Sequence, residues 1–245
     1  LMKHKFITIL TVVIIWELLI KGGYIPGLWD ITTTFFQLSI DPNFLYNLWI
    51  SLLRLVIGWS IGMLVGTTIG IFMGSNIHVN KLTMPLVSCL FPIPKIALLP
   101  LFIVLLGIGE LSKITTIFIG SFFPSILNAY NSVIRTPTIY VEASRSCGAG
   151  YWFTLRKIVL PYSMPTIIAG FRTSGSLSLV LLVAAEMLGA KHGLGNWIFM
   201  TGGEMDFAEM FAGIIWLSLI GLGIGWGTEF LKRKFCRWST YGEGV

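Results

Sequence analysis

Long apolar runs broken by isolated charges organise this chain. Residues 55–80, 114–134 and 210–228 contain no Asp, Glu, Lys or Arg. Each is near or above the roughly 20 residues that a helix needs to cross a hydrocarbon core. Two further runs carry one charge each: residues 82–109 contain Lys95 and residues 158–185 contain Arg172. A first run, at about 6–20, holds Glu17 near its end. The pattern predicts six helices, at about 6–22, 53–74, 84–107, 113–133, 166–188 and 208–230. Strand-like alternation over segments of about ten residues is absent, which argues against an outer-membrane barrel. The expected class is an all-α membrane protein, read as one domain over 1–245.

Composition sharpens this reading. Of 245 residues, 55% are hydrophobic and 11% charged, against roughly 25% charged in soluble domains. The mean hydropathy is +0.82. An ordinary soluble enzyme and a disordered chain are both excluded. Cys89, Cys147 and Cys236 are too far apart for a metal knuckle or a disulfide framework.

The net charge of +6 reads as topology, not as a nucleic-acid surface, because membrane proteins keep Lys and Arg on the cytoplasmic side. With the N-terminus inside, Lys3, Lys5, Lys81, Arg135, Arg145, Arg156, Lys157, Lys232, Arg233, Lys234 and Arg237 fall inside, and only Lys21, Arg54, Lys113 and Lys191 fall outside. Both termini are therefore expected in the cytoplasm, with a large cytoplasmic loop at about 134–165. The external segment 22–52 is expected to hold a short interfacial helix, with Trp29 and Trp49 at headgroup level. Lys3 and Lys5 precede an apolar run that is followed by Glu17 and Lys21, not by a small-residue cleavage site, so the run reads as a retained first span.

Within the spans, Gly58, Gly62, Gly66, Gly70 and Gly74 recur every four residues. That spacing puts them on one helix face, where missing side chains let a neighbouring backbone approach. Gly221 and Gly225 repeat the spacing. Pro92, Pro94 and Pro100 predict a kinked or broken third span, and irregular backbone at membrane depth survives only against protein or a water-filled cavity. Gly58-Trp-Ser60-Ile-Gly62 matches the nucleophile-elbow pattern, but that pattern requires a strand–turn–helix, and His4, His78 and His192 all lie near span ends or in loops. No Gly-x4-Gly-Lys-Ser/Thr phosphate loop and no His-Glu-x-x-His occurs, so any ATP must be bound by another chain.

The segment after the fourth span reads Glu142-Ala143-Ser144, three residues, Gly148, nine residues, then Ile158-Val159-Leu160-Pro161. Glu142 is expected near the start of a short helix, where a helix dipole favours an anion. Gly148 is expected to permit a chain reversal, and Pro161 to stop or redirect the following helix. Arg145, Arg156 and Lys157 supply a cationic face.

The whole pattern resembles the cytoplasmic "EAA" loop of ABC-importer permeases of the binding-protein-dependent type I family, with Ser144 in place of the second alanine. Ser51-Leu-Leu-Arg54, Pro92-Ile-Pro94-Lys95-Ile-Ala97-Leu-Leu-Pro100, Gly107-Ile-Gly109-Glu110, Phe123-Pro124, and Ala185-Glu186-Met187 followed by Gly193-Leu-Gly195 extend the resemblance over about 25–240. They resemble the subfamily that imports alkanesulfonates, taurine, nitrate or bicarbonate, some of whose members serve pyrimidine vitamin precursors.

The resemblance implies a non-catalytic subunit of the prokaryotic cytoplasmic membrane that pairs with a second copy of itself. It further implies two cytoplasmic ATPase subunits holding ATP and Mg, and an external substrate-binding protein. Glu142, Ala143, Ser144, Gly148, Ile158, Leu160 and Pro161 become the expected ATPase-coupling surface. Lys95, Glu186 and Arg54 are candidates for the translocation path, with Glu186 also a potential counter-ion for Lys95 or Arg54. Arg172 is expected near the cytoplasmic end of its span, in a structural role. Two rival readings lack their signatures: a secondary transporter needs internal symmetry or a coupling-ion site, and an intramembrane hydrolase at Ser60 needs a base.

Overall fold

The computed structural model describes residues 26–238, so the expected first span at 6–22 lies outside the described residues. Among the described residues the regular structure is helical. A short helix, α1 (Leu28–Leu38), precedes α2 (Pro42–Ser75). Then come α3 (Ile77–Leu90), a 3₁₀ turn over Lys95–Leu98, and α4 (Leu99–Leu106). The chain continues through α5 (Glu110–Ile134), α6 (Thr138–Ser146), α7 (Tyr151–Gly189), α8 (Leu194–Gly203) and α9 (Phe207–Phe235).

Helix α2 begins eleven residues earlier than the apolar run predicts. Asp41 accepts hydrogen bonds from the Asn43 and Phe44 amides at 3.3 and 3.0 Å, and Pro42 opens the helix, a start signal in which the cap satisfies orphan amides and proline loses nothing. Asn47, Ser51 and Arg54 then fall on one buried face. They look like loop polarity in sequence because their partners come from other helices. At 34 residues the helix is about 51 Å long, well beyond the roughly 30 Å hydrocarbon core, so its polar first third can lie outside the hydrocarbon.

The glycine stripe packs on α5. A β-carbon at Gly58 would lie 2.8 Å from Ile117, at Gly62 2.1 Å from Ser121, at Gly66 3.0 Å from Ser125, at Gly70 2.8 Å from Ala129 and at Gly74 2.7 Å from Val133. Both series rise by four residues together, so α2 and α5 run parallel. They therefore start at one end of the bundle and finish at the other, and the chain between them must cross back. The crossing is the broken pair of Ile77–Leu90 with Lys95–Leu106, bent by 87°, as the three prolines predict. Helix α7 runs antiparallel to α2 and α5: Trp59 meets Ser174, Ile117 meets Ser178, and Asn128 meets Ile167. Helix α9 returns along α7, with Gly175 against Ile224 and Gly221 against Leu179. The described residues thus cross the bundle five times. Leu55, Ile117, Leu182 and Ile224 form the core where α2, α5, α7 and α9 meet.

Pro161 does not stop a helix. Helix α7 runs through it and through Pro165, with a wide π turn at Leu155–Val159 immediately before. That turn absorbs the hydrogen bond and the space which a proline denies an α-helix.

Candidate functional site

Three constellations stand out, one at each end of the bundle and one at the break. At the end where α2 and α5 finish, α6 packs on the first turns of α7. Its C-terminus closes through Gly148, whose φ is +80°. The Gly148 amide donates to the Arg145 carbonyl at 2.8 Å and the Ala149 amide to the Ser144 carbonyl at 3.1 Å, the Schellman pairing that favours glycine in the left-handed position. Glu142 and Ala143 are exposed. Glu142 is the fifth of nine residues in α6, too deep for the first-turn dipole contact expected of it. Ser144 faces inward, 7% exposed, and its Oγ pairs with Thr154 Oγ1 at 3.0 Å. It therefore ties α6 to α7, and only its edge reaches the hollow on this face. Tyr140, Ala143, Cys147, Gly148, Phe153 and Ile158 line an open hollow of about 760 Å³. Leu160 and Pro161 are half-buried beside it. Exposed Ile139, Tyr140, Trp152 and Phe153 make α6 and the first turn of α7 apolar, and exposed Arg145, Arg156 and Lys157 rim them. An apolar patch with a polar rim marks a contact surface.

At the opposite end lies a buried charge cluster. Arg54 pairs with Glu110 through Nε and Nη2, both at 2.6 Å, and with Glu186 through Nη1 at 2.7 Å. Nη1 also donates to the His192 carbonyl at 2.7 Å. Glu186 is 0% exposed. It accepts from Ser51 Oγ at 2.8 Å and from the Gly195 amide at 2.8 Å. The Leu194 amide donates to Ser51 Oγ, and the Gly193 amide to Asn47 Oδ1. Gly193 has φ +132°, and a β-carbon there would lie 2.4 Å from the Glu186 carboxyl carbon. The Gly193-Leu-Gly195 motif thus lets the loop wrap the carboxylate. Lys113, 5% exposed, completes a neutral set 3.7 Å from Glu110. Arg54 and Lys113, counted on the outer side at the starts of their expected spans, are buried there. They sit in α2 and α5, held by glutamates. Glu186 meets Arg54 and not Lys95. Glu110, Ser51 and Asn47 are members that the candidate path residues do not include; Ser51 and Glu110 stand in the quoted motifs, and the polar spacing 47, 51, 54 within an apolar helix is the signal that points to Asn47.

Lys95 stands apart, at the break between α3 and α4, half-buried beside Phe91 and Phe123. Arg172, on α7, is exposed and lies over Gly225 of α9. Ser60 lies inside unbroken α2, without the strand–turn–helix that a nucleophile elbow requires. The described residues contain no metal-binding cluster of His, Cys, Asp and Glu.

Comparison with known proteins agrees with this architecture. A putative ABC transporter permease protein of Methanocaldococcus jannaschii is 33% identical over 92% of this chain and 88% of its own length. A putative aliphatic sulfonates transport permease protein of Bacillus subtilis is 29% identical over 95% of this chain and 86% of its own. A solved structure of the MetNI methionine ABC transporter in an inward-facing conformation superposes with a TM-score of 0.68 at 20% identity, over 80% of this chain and 99% of that one; it shares the fold. The family model for the inner membrane component of binding-protein-dependent transport systems matches residues 66–236. A multi-pass helical bundle with a broken span, a capped helix at one end and a matching family model over most of its length, this chain belongs to the inner membrane components of binding-protein-dependent ABC transport systems.

Proposed function

We propose that the chain imports a small organic anion of the sulfonate class, with α6 and the first turns of α7 as its dock for an ATPase. The observation that carries this reading is the exposed apolar surface around Gly148, carried by α6 and the first turn of α7 and rimmed by cations. Orientation follows from charge. Among the described residues, Lys81, Arg135, Arg145, Arg156, Lys157, Lys232, Arg233, Lys234 and Arg237 all lie at the α6 end. Only Lys191 and the paired Arg54 and Lys113 lie at the other. The positive-inside rule makes the α6 end cytoplasmic. Two ATPase subunits holding ATP and Mg would bind there, one for each of two copies of this chain. A substrate-binding protein would deliver cargo at the end of the charge cluster. Nucleotide-driven closure of the ATPases would pull α6 and rock the spans between inward- and outward-open states. The B. subtilis relative's printed cargo, aliphatic sulfonates, supports the cargo class.

Gly148→Asp tests the dock. A β-carbon at Gly148 meets nothing within 4 Å, and Asp tolerates the left-handed conformation better than most residues. The variant is expected to insert and accumulate normally but to lose ATP-driven uptake and the co-purifying ATPase. Affinity purification with the native neighbouring subunits, followed by mass spectrometry, reads this out. A wild-type chain that purifies without a nucleotide-binding partner in several detergents, or a Gly148→Asp variant with normal uptake, overturns the reading.

A further inference from the structure

The break between α3 and α4 carries a cation that neither the dock nor the charge cluster uses. The Lys95 ammonium donates to the Phe91 carbonyl and sits 4.5 Å from the Phe91 ring centroid and 6.0 Å from that of Phe123. Among the described residues it forms no ion pair, since Glu110 and Glu186 are taken by Arg54 and Lys113. An ammonium has three donors; with one on Phe91, two remain. The side chain lines a half-open cavity of about 320 Å³ whose other walls are apolar, the buried Leu181 and the exposed Phe91, Ile96 and Leu177 among them. The cavity also adjoins the one place in the described spans where the backbone departs from helix by an 87° bend, the kind of irregularity that persists at membrane depth beside protein or a water-filled space.

One unpaired cation between apolar walls defines its ligand. A single negative charge is matched by Lys95, whereas a second would find no cationic partner among the lining residues. The volume equals about ten water-sized shares of roughly 30 Å³, room for a compact headgroup and a short alkyl tail. A small hydrated inorganic anion would lose its water against walls that return no hydrogen bonds; an alkyl tail gains from those same walls. We infer that Lys95 and this cavity form an intramembrane binding site for an amphiphilic monoanion, a short alkyl chain ending in one sulfonate or similar group, with Lys95 on the headgroup and the Phe91 and Leu177 walls on the tail. The inference rests on the reading of the chain as an anion permease and names the residues that would select its cargo.

The test is calorimetric titration of the purified full chain in lipid nanodiscs with butane-1-sulfonate, methanesulfonate and sodium nitrate. The wild type is expected to bind butane-1-sulfonate at least about tenfold more tightly than nitrate. Lys95→Met, close in volume, weakens butane-1-sulfonate roughly ten- to hundredfold, as loss of hydrogen bonds to a charged headgroup requires; Lys95→Arg keeps most of the affinity. Leu177→Trp fills the tail region, weakening butane-1-sulfonate while sparing methanesulfonate, so the site remains testable if Lys95→Met fails to fold. Undiminished binding by a folded Lys95→Met variant, nitrate bound as well as butane-1-sulfonate, or no binding to the wild type overturns the site. ATPase co-purification does not involve Lys95, so its success or failure judges the permease reading separately.

Discussion

Gly70→Leu is expected to leave little folded protein in the membrane fraction, and Gly70→Ala to fold with a clearly lowered thermal midpoint. A β-carbon at Gly70 would lie 2.3 Å from the Ile126 carbonyl oxygen and 2.8 Å from the Ala129 β-carbon. Ordinary carbon–oxygen contacts stand at about 3.3–3.6 Å, so even a methyl group demands about 1 Å of separation. Neither obstacle is a flexible side-chain end; one is backbone and the other a β-carbon. The strain cannot stay local, because Gly62 and Gly66 hold α2 against the Phe118 and Phe122 carbonyls at comparable distances. Moving α2 outward to admit one side chain loosens the next two contacts. Overpacking of this kind costs about 1–3 kcal/mol for a methyl group, several degrees in thermal midpoint, and a leucine exceeds what the seam can open. Fluorescence-detected size-exclusion chromatography of a tagged chain, with a thermal ramp, measures both variants. Gly203→Ala is the control: nothing lies within 4 Å of its β-carbon, and its midpoint is expected to hold. A Gly70→Leu variant that elutes and melts like the wild type would show that α2 and α5 are not closely seamed.

The same seam shows how far residues alone reveal this fold. Four-residue spacing marks a packing face because it is a property of one helix. The three prolines mark a break for the same reason, since each acts on its own backbone. What stays hidden depends on partners distant in the chain. Asn47, Ser51 and Arg54 lie before the apolar run and look like a connector. They become helix because Asp41 caps the start and because Glu110, Glu186 and the 193–195 loop receive their polar atoms. Arg54 and Lys113 stand at the starts of the expected spans, and only the fold shows their glutamates. Pro161 looks like a stop signal because a proline's local rule is to end helices; a π turn one residue earlier lifts that rule here. The spacing from Glu142 to Pro161 is legible in the residues, yet the inward turn of Ser144 is not, because Thr154 lies ten residues further on.

Arg54→Met is expected to be the most damaging single change in the charge cluster. Arg54 is 4% exposed and Glu186 0%. Removing the guanidinium leaves the Glu186 carboxylate buried with the Ser51 hydroxyl and the Gly195 amide alone, and stranding a buried charge costs about 3–5 kcal/mol. Glu186→Gln should cost less, because Arg54 keeps its two bonds to Glu110 and the amide oxygen still accepts from Gly195. Glu110→Gln should cost least, about 0–1 kcal/mol, since that side chain is 58% exposed and water screens its pair. The expected order of thermal midpoints is therefore wild type, Glu110→Gln, Glu186→Gln, then Arg54→Met. The double variant Arg54→Met with Glu186→Met removes both charges of the buried Arg54–Glu186 pair, so it should recover part of the Arg54→Met loss despite carrying an extra substitution. Recovery distinguishes a buried electrostatic clasp from simple loss of arginine packing, which a second change would only deepen. The clasp joins α2, α5 and the end of α7 at the end away from α6. Variants that still fold at low temperature should therefore retain the ATPase proposed to dock around Gly148. Loss of that partner in folded Arg54→Met would show instead that the stability of the clasp and the integrity of the dock are linked through α5 and α7.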